Sequence, residues 1–266
     1  MERTIEGSTF LSRIFAIARN TFREAVRDRI LYNLVIFVLL ITAAAIFLGE
    51  LTAGQEARTI VNLGLNAMLL FGAFIAIFVG VGLVSKEIEK RTVYAIFSKP
   101  VTRGEFIVGK YLGLCLTLLV NVAIMGTGVS LALMYVHGGS LAWTIWGAIA
   151  LIFLELSIIT AVAILFSSFS TPALSALLSF LVFVIGHFSA SLRDLAADLG
   201  SPAARLVFDA IYYIMPNLSN FSYVTSASHG EVPSAGIVGG ALLYALAYAA
   251  VLLVLTVTVF KRRNFK

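Results

Sequence analysis

Six apolar runs, each near the roughly 20 residues that a helix needs to cross a bilayer, alternate with short polar stretches along the chain. They fall at residues 32–48, 63–84, 111–135, 141–166, 173–190 and 236–260. Apolar positions within each run are continuous rather than alternating, the pattern of a spanning helix and not of a barrel strand. The expected fold is therefore all-α: a single polytopic membrane domain over residues 1–266 with six transmembrane helices, of which the first and fifth are short.

The stretches between the runs carry patterns of their own. Residues 10–31 are amphipathic, with Leu11, Ile14, Phe15, Ala18, Phe22, Ala25 and Val26 on one stripe and Arg13, Asn20, Arg23, Glu24 and Arg27 opposite. A helix so divided lies in the membrane interface plane. Arg29 breaks the stripe, which suits a bend into the first span with the side chain snorkelling to headgroups. A plain membrane anchor and a platform for a cytoplasmic partner fit this pattern equally well. Residues 49–62 read as a short polar outer loop, and His137-Gly138-Gly139 as a tight outer turn.

The densest polar stretch is residues 85–113, which holds Lys86, Lys90, Arg91, Lys99, Arg103 and Lys110 and so is expected to lie in water. Residues 85–105 form a polar segment whose helix is ended by Pro100. Val84, Ile88, Thr92, Ala95 and Ile96 share one arc of that helix, and Lys86, Glu87, Lys90, Tyr94 and Phe97 the other. The outer segment, residues 191–235, carries two helical stripes. One is Leu192, Leu195, Ala196 and Leu199, stopped by Gly200; the other opens at Ser201-Pro202, runs through Leu206, Val207, Ala210, Ile211 and Ile214, and ends at Pro216.

Composition excludes a soluble domain: of 266 residues 60% are hydrophobic and 12% charged. Charge then sets orientation. Of the 19 Lys and Arg, all but Arg58, Arg193 and Arg205 fall in the opening segment, the polar stretch 85–113 and the tail, which places both termini on the cytoplasmic side of the cell membrane. The formal charge of +5 is accounted for by the lipid bilayer's acidic headgroups and calls for no nucleic acid. Cys115 has no second cysteine to pair with, and the opening residues, with Glu2 and Glu6, lack the pattern of a cleavable signal.

Candidate chemistry is sparse. Glu155 in the fourth run and His187 late in the fifth are ionisable groups within spans, where such groups are functional candidates because burial in hydrocarbon is costly without a partner. A hydrogen-bonded Glu155 facing Ser157, Thr160 or a neighbouring helix is the plainer alternative. Residues 104–111, GEFIVGKY, match a phosphate-binding loop up to the last position, where Tyr111 replaces the Ser or Thr that holds magnesium. No catalytic, metal-ligating or cofactor-binding set accompanies them, so the chain is not expected to be an enzyme. Gly64, Gly72, Gly80, Gly82, Gly109 and Gly113 read as points of close helix approach. Asn217-Leu-Ser219 and Asn220-Phe-Ser222 match the glycosylation pattern.

The opening ARNTFREAVRDR at residues 18–29 resembles the start of ABC type-2 transporter permeases. Glu87-Ile88-Glu89 with Arg91-Thr92, then Ser98-Lys99-Pro100-Val101-Thr102-Arg103 and Gly109-Lys110, resemble that family's segment between its second and third spans. Within the family the chain is most similar to bacterial permeases associated with multicopper-enzyme maturation, although it carries no Met or Cys cluster of the copper-binding kind. The resemblance implies a permease subunit working with a separate ABC ATPase (nucleotide-binding) subunit, which holds the ATP and Mg, and with a second permease chain, identical or related; it implies that residues 85–105 are the cytoplasmic coupling segment and that cargo moves outward, as export. It further implies that Arg23, Arg27, Glu87, Glu89, Lys90, Arg91, Thr92, Tyr94 and Phe97 contact the ATPase. The competing class is a proton-coupled secondary transporter using Glu155 and His187, and a third is a non-transporting scaffold.

Overall fold

The computed structural model describes residues 10–27, 54–89, 102–189 and 202–262, together with residues 36, 37, 40, 41, 43, 44 and 47. Among the described residues eight α-helices are bounded, in order: α1 Phe10–Arg27, α2 Glu56–Glu89, α3 Arg103–Tyr135, α4 Gly139–Ser167, α5 Pro172–His187, α6 Pro202–Ile214, α7 Val224–Ser228 and α8 Ala235–Arg262, with a 3₁₀ turn at Leu218–Phe221. No strand occurs among the described residues. Among them, four helices, α2, α3, α4 and α8, are long and apolar enough to cross a membrane. Of the first expected span only the seven residues above are described, and they are helical. Phe37 and Ile41 are buried while Ile36, Leu40 and Phe47 are exposed, a helical spacing that turns Phe37 edge-on to Phe71 of α2, with ring centroids 5.9 Å apart.

Helix α4 is the axis of the bundle. Its apolar window is 78% buried, against 22% for α8, because α2, α3, α5 and α8 all pack on it. Small residues set these approaches. A Cβ on Gly72 would collide with Leu156, one on Gly80 would lie 3.1 Å from Ala163, and one on Gly126 would lie 2.8 Å from Ile149. At the foot of the α2–α4 pair, the Ser85 and Ser167 hydroxyls meet at 3.1 Å and Ser167 donates to the Val81 carbonyl at 3.2 Å. At the other end Ser130 of α3 donates to the Ala142 carbonyl of α4 at 3.1 Å.

Several boundaries differ from the sequence expectation. The loop expected at residues 49–62 ends early, because α2 already begins at Glu56 after a turn at Gly54. Ile60 and Val61 are buried there, so tertiary packing extends the helix past its apolar core. Helix α3 starts two turns before the expected 111, at a capping box in which Thr102 Oγ1 accepts from the Glu105 amide and Glu105 accepts from the Thr102 amide. The turn at residues 136–138 is a Schellman closure: the Gly138 amide donates to the Leu133 carbonyl at 2.8 Å and the His137 amide to that of Met134 at 3.3 Å. The left-handed position, usually glycine, is His137 at φ 61°. Gly138 is needed for room instead, since a Cβ there would lie 2.9 Å from Ala57.

Helix α5 has 16 residues, a rise of about 24 Å, which falls short of a hydrocarbon core of about 30 Å. The chain after α6 makes up the difference. Its 3₁₀ turn and α7 fold in against α2, α4 and α5, burying Leu218, Phe221, Val224 and Ala227 in the main core. Gly186 admits them, since a Cβ there would lie 2.6 Å from the Pro216 carbonyl oxygen. The second expected outer helix is present as α6; the first, at residues 192–199, lies outside the described residues.

Candidate functional site

The first three turns of α3 carry Arg103, Glu105 and Lys110. Helix α1 crosses them where glycine removes the side chains: a Cβ on Gly109 would lie 2.7 Å from Ile17, and one on Gly113 2.5 Å from the Ala18 carbonyl oxygen. Two ion pairs bracket the crossing, Arg13 Nη1 to Glu105 Oε1 at 3.6 Å and Lys110 Nζ to Glu24 Oε2 at 3.5 Å. Glu105 and Lys110 are each buried, at 2% exposure, so their charges rely on these partners and, for Lys110, on the Phe106 ring 5.8 Å away. Expected as water-exposed, this part of the polar stretch is instead covered by α1.

The same turns hold the end of α8. Arg103 Nη1 donates to the carbonyls of Phe260 at 2.9 Å and Lys261 at 2.8 Å, occupying acceptors that a helix C-terminus leaves open. Beneath it Phe106, Ile107, Ile164 and Phe260 form a small core separate from the main one, the two Phe rings stacked at 6.2 Å. The end of the coupling segment therefore runs into a helix start that is bonded to α1 on one side and α8 on the other. None of Arg13, Arg103, Glu105 or Lys110 stood out in the sequence as a site residue. The legible signals were Thr102-x-x-Glu105, a capping box, and Gly109-x-x-x-Gly113, a close approach.

The phosphate-loop match at residues 104–111 is the first two turns of this helix. Gly109 is occupied by Ile17 and Lys110 is buried against Glu24, so nothing is left to cradle a phosphate.

Of the residues expected to touch an ATPase, Arg23 is exposed on α1, and Arg27, Glu87 and Glu89 lie on the final turns of α1 and α2. Lys90, Arg91, Thr92, Tyr94 and Phe97 lie outside the described residues.

Glu155 and His187 are brought together. Glu155 Oε1 lies 3.4 Å from His187 Nδ1, with Glu155 buried and His187 partly exposed between the rings of Phe183 and Phe188. Counted along α4 and α5 from the turn that joins them, the pair sits about 20 Å into the bundle. Hydroxyls expected as partners of Glu155 turn elsewhere: Thr160 donates to the Leu156 carbonyl and Ser157 to that of Leu154.

Above this pair Asn217 ties the tucked segment down. Its Oδ1 accepts from Ser189 at 2.8 Å and Ser219 at 2.5 Å, its Nδ2 donates to Tyr212 at 3.3 Å, and its amide donates to the Tyr244 hydroxyl at 2.9 Å. The side chain matched as a glycosylation acceptor is thus already engaged. Asn217→Ala removes three side-chain bonds of about 1 kcal/mol each. Hydrogen exchange should then speed at residues 215–230 by one to two orders of magnitude while α4 stays protected; unchanged exchange would show that packing alone holds the segment.

A family model described as ABC-2 family transporter protein matches residues 15–265. No curated protein matches the chain.

Proposed function

Because the chain belongs to the ABC-2 family of transporter proteins, and is thereby a multi-pass membrane permease, we propose that it carries substrate outward under the drive of a separate ABC ATPase subunit, as one of two permease chains. ATP and Mg belong to that partner in this proposal, consistent with the filled helix start where the phosphate-loop match falls. The observation that carries it is the junction at the start of α3. A push on the coupling segment enters at Thr102 and Arg103, and those turns are bonded to α1 by two ion pairs and to α8 by the Arg103 contacts. Closure of the ATPase dimer would thus displace several helices together and favour one of two arrangements of the spans by differential binding.

The contact surface is proposed to be the arc with Glu87, Lys90, Tyr94 and Phe97, joined by Glu89, Arg91, Thr92, Arg23 and Arg27. Tyr94→Ala with Phe97→Ala removes two aromatic anchors, each contributing about 2 kcal/mol or more in a protein interface. Co-purification with the co-expressed ATPase should be lost while insertion is retained; undiminished binding would move the surface elsewhere. Orientation is tested by single cysteines in a Cys115→Ser background. Thr92→Cys and Lys266→Cys should label only from the cytoplasm and Glu231→Cys, at an exposed position, only from outside.

The proton-coupled alternative is favoured by one observation, the Glu155–His187 contact at 3.4 Å. Against it, the apolar runs at residues 63–84, 111–135 and 236–260 contain no Asp, Glu, Lys, Arg or His, and a relay across the membrane needs a succession of such groups.

A further inference from the structure

Helix α1 has three faces rather than two. Ile14, Thr21 and Ala25, with Ile17 and Ala18 beside them, pack on α3. About a third of a turn away, Leu11 and Phe15 are 73% and 71% exposed, and Val26 joins them on that face. The remaining face carries Ser12, Arg23 and Asn20, and Arg19 stands at the seam between it and the apolar one. A soluble helix with one face already docked would have no use for a second apolar stripe.

Height is fixed by the crossing. Helix α1 is seated on Glu105 to Gly113 of α3, where that helix passes from its charged start into its apolar run, the position along a spanning helix at which basic side chains meet headgroups. Charge on the outward faces is one-sided. The ion pairs among the described residues use Arg13 and Glu24, which leaves Arg19 and Arg23, both exposed, without a carboxylate there.

We propose that the outward side of α1 is a binding surface for acidic phospholipid: Leu11, Phe15 and Val26 enter the acyl layer of the leaflet at the α3 entry, and Arg19 and Arg23 hold phosphate-bearing headgroups. Helix α1 is thereby referenced to the membrane on its outward side, while its inner face stays locked to α3. Arg23, farther round than Arg19, is then shared between lipid and any protein docked from the water side. Arg19 and the apolar face are independent of whether an ATPase binds.

The test uses the full chain with Cys115→Ser in nanodiscs, of phosphatidylcholine alone or with one quarter phosphatidylglycerol, and spin labels at Phe15→Cys or Ser12→Cys. The label at 15 should be reached by oxygen and shielded from a water-soluble nickel relaxant, with the reverse at 12. Phosphatidylglycerol should deepen and order the label at 15, an effect lost in Arg19→Gln with Arg23→Gln and restored in Arg19→Lys with Arg23→Lys. Native mass spectrometry should show retained phosphatidylglycerol falling on the order of tenfold in the Gln pair. Equal nickel access at 12 and 15 would overturn the insertion. Behaviour of the parent in phosphatidylcholine indistinguishable from that with phosphatidylglycerol, or retention unchanged in the Gln pair, would overturn the acidic-headgroup site.

Discussion

Gly113→Ala is expected to unseat α1 from α3. The added carbon would lie 2.5 Å from the Ala18 carbonyl oxygen and 2.6 Å from Thr21 Cβ, and the first of these is backbone, which cannot rotate away. Relief requires α1 to shift as a body, which lengthens both Arg13–Glu105 and Lys110–Glu24 and opens buried Glu105 and Lys110 to water. Overpacking of this kind costs about 1–3 kcal/mol, and stranding either buried charge adds to it. The matching change at Gly104, where a Cβ meets nothing within 4 Å, should be harmless. Thermal unfolding in detergent and thiol labelling of Thr21→Cys, in a Cys115→Ser background, compare the two. Gly113→Ala should lower the transition and expose position 21, and Gly104→Ala should do neither. If both behave like the parent, the crossing is looser than its distances imply.

The other large effect is expected at the Glu155–His187 pair. His187→Ala leaves a carboxyl group that is 1% exposed without its partner, and stranding a buried polar group costs about 1–3 kcal/mol. Adding Glu155→Gln to the same chain should return most of that loss, because the amide carries no charge to strand. Glu155→Gln alone keeps a hydrogen-bonding group opposite His187 Nδ1 and should cost about 1 kcal/mol. Stability of the four chains forms a double-mutant cycle, and a coupling below 0.5 kcal/mol would mean the contact is incidental. Proton flux into vesicles under an imposed potential separates structure from relay. The structural role predicts no flux that depends on Glu155, whereas flux abolished by Glu155→Gln would favour the proton-coupled class over the ATP-driven one.

Runs of apolar residues made the core helices legible because lipid imposes one rule on every spanning backbone, that its polar groups be satisfied internally. Helix α4 needed nothing more, and α6 was visible from Ser201-Pro202 and Pro216. Helix starts outside the apolar cores were harder. Glu56, Ala57 and Arg58 read as loop because polarity says nothing about whether Ile60 and Val61 will be buried. Glu105 and Lys110 read as solvated because local pattern cannot show that α1, some ninety residues earlier, covers them. For α1 itself the wide apolar stripe was seen, but not its division between protein and lipid. Asn217 was invisible as a structural anchor, since its partners Ser189, Tyr212 and Tyr244 come from three separate segments. Glu155 and His187 were singled out individually by their cost in hydrocarbon, and their meeting depends on α5 ending at the depth of mid-α4.

That short α5 makes one crossing of the bundle a composite of two unconnected pieces, butted together at Gly186 and Pro216. A continuous helix resists bending through its whole ladder of backbone bonds. A butt joint resists only through what packs across and around it, here the buried Leu218, Phe221, Val224 and Ala227 and the Asn217 bonds to Ser189, Tyr212 and Tyr244. The far portion is thus held by side chains rather than by a backbone ladder: displacing it would break those contacts without uncoiling a single turn of α4 or α5.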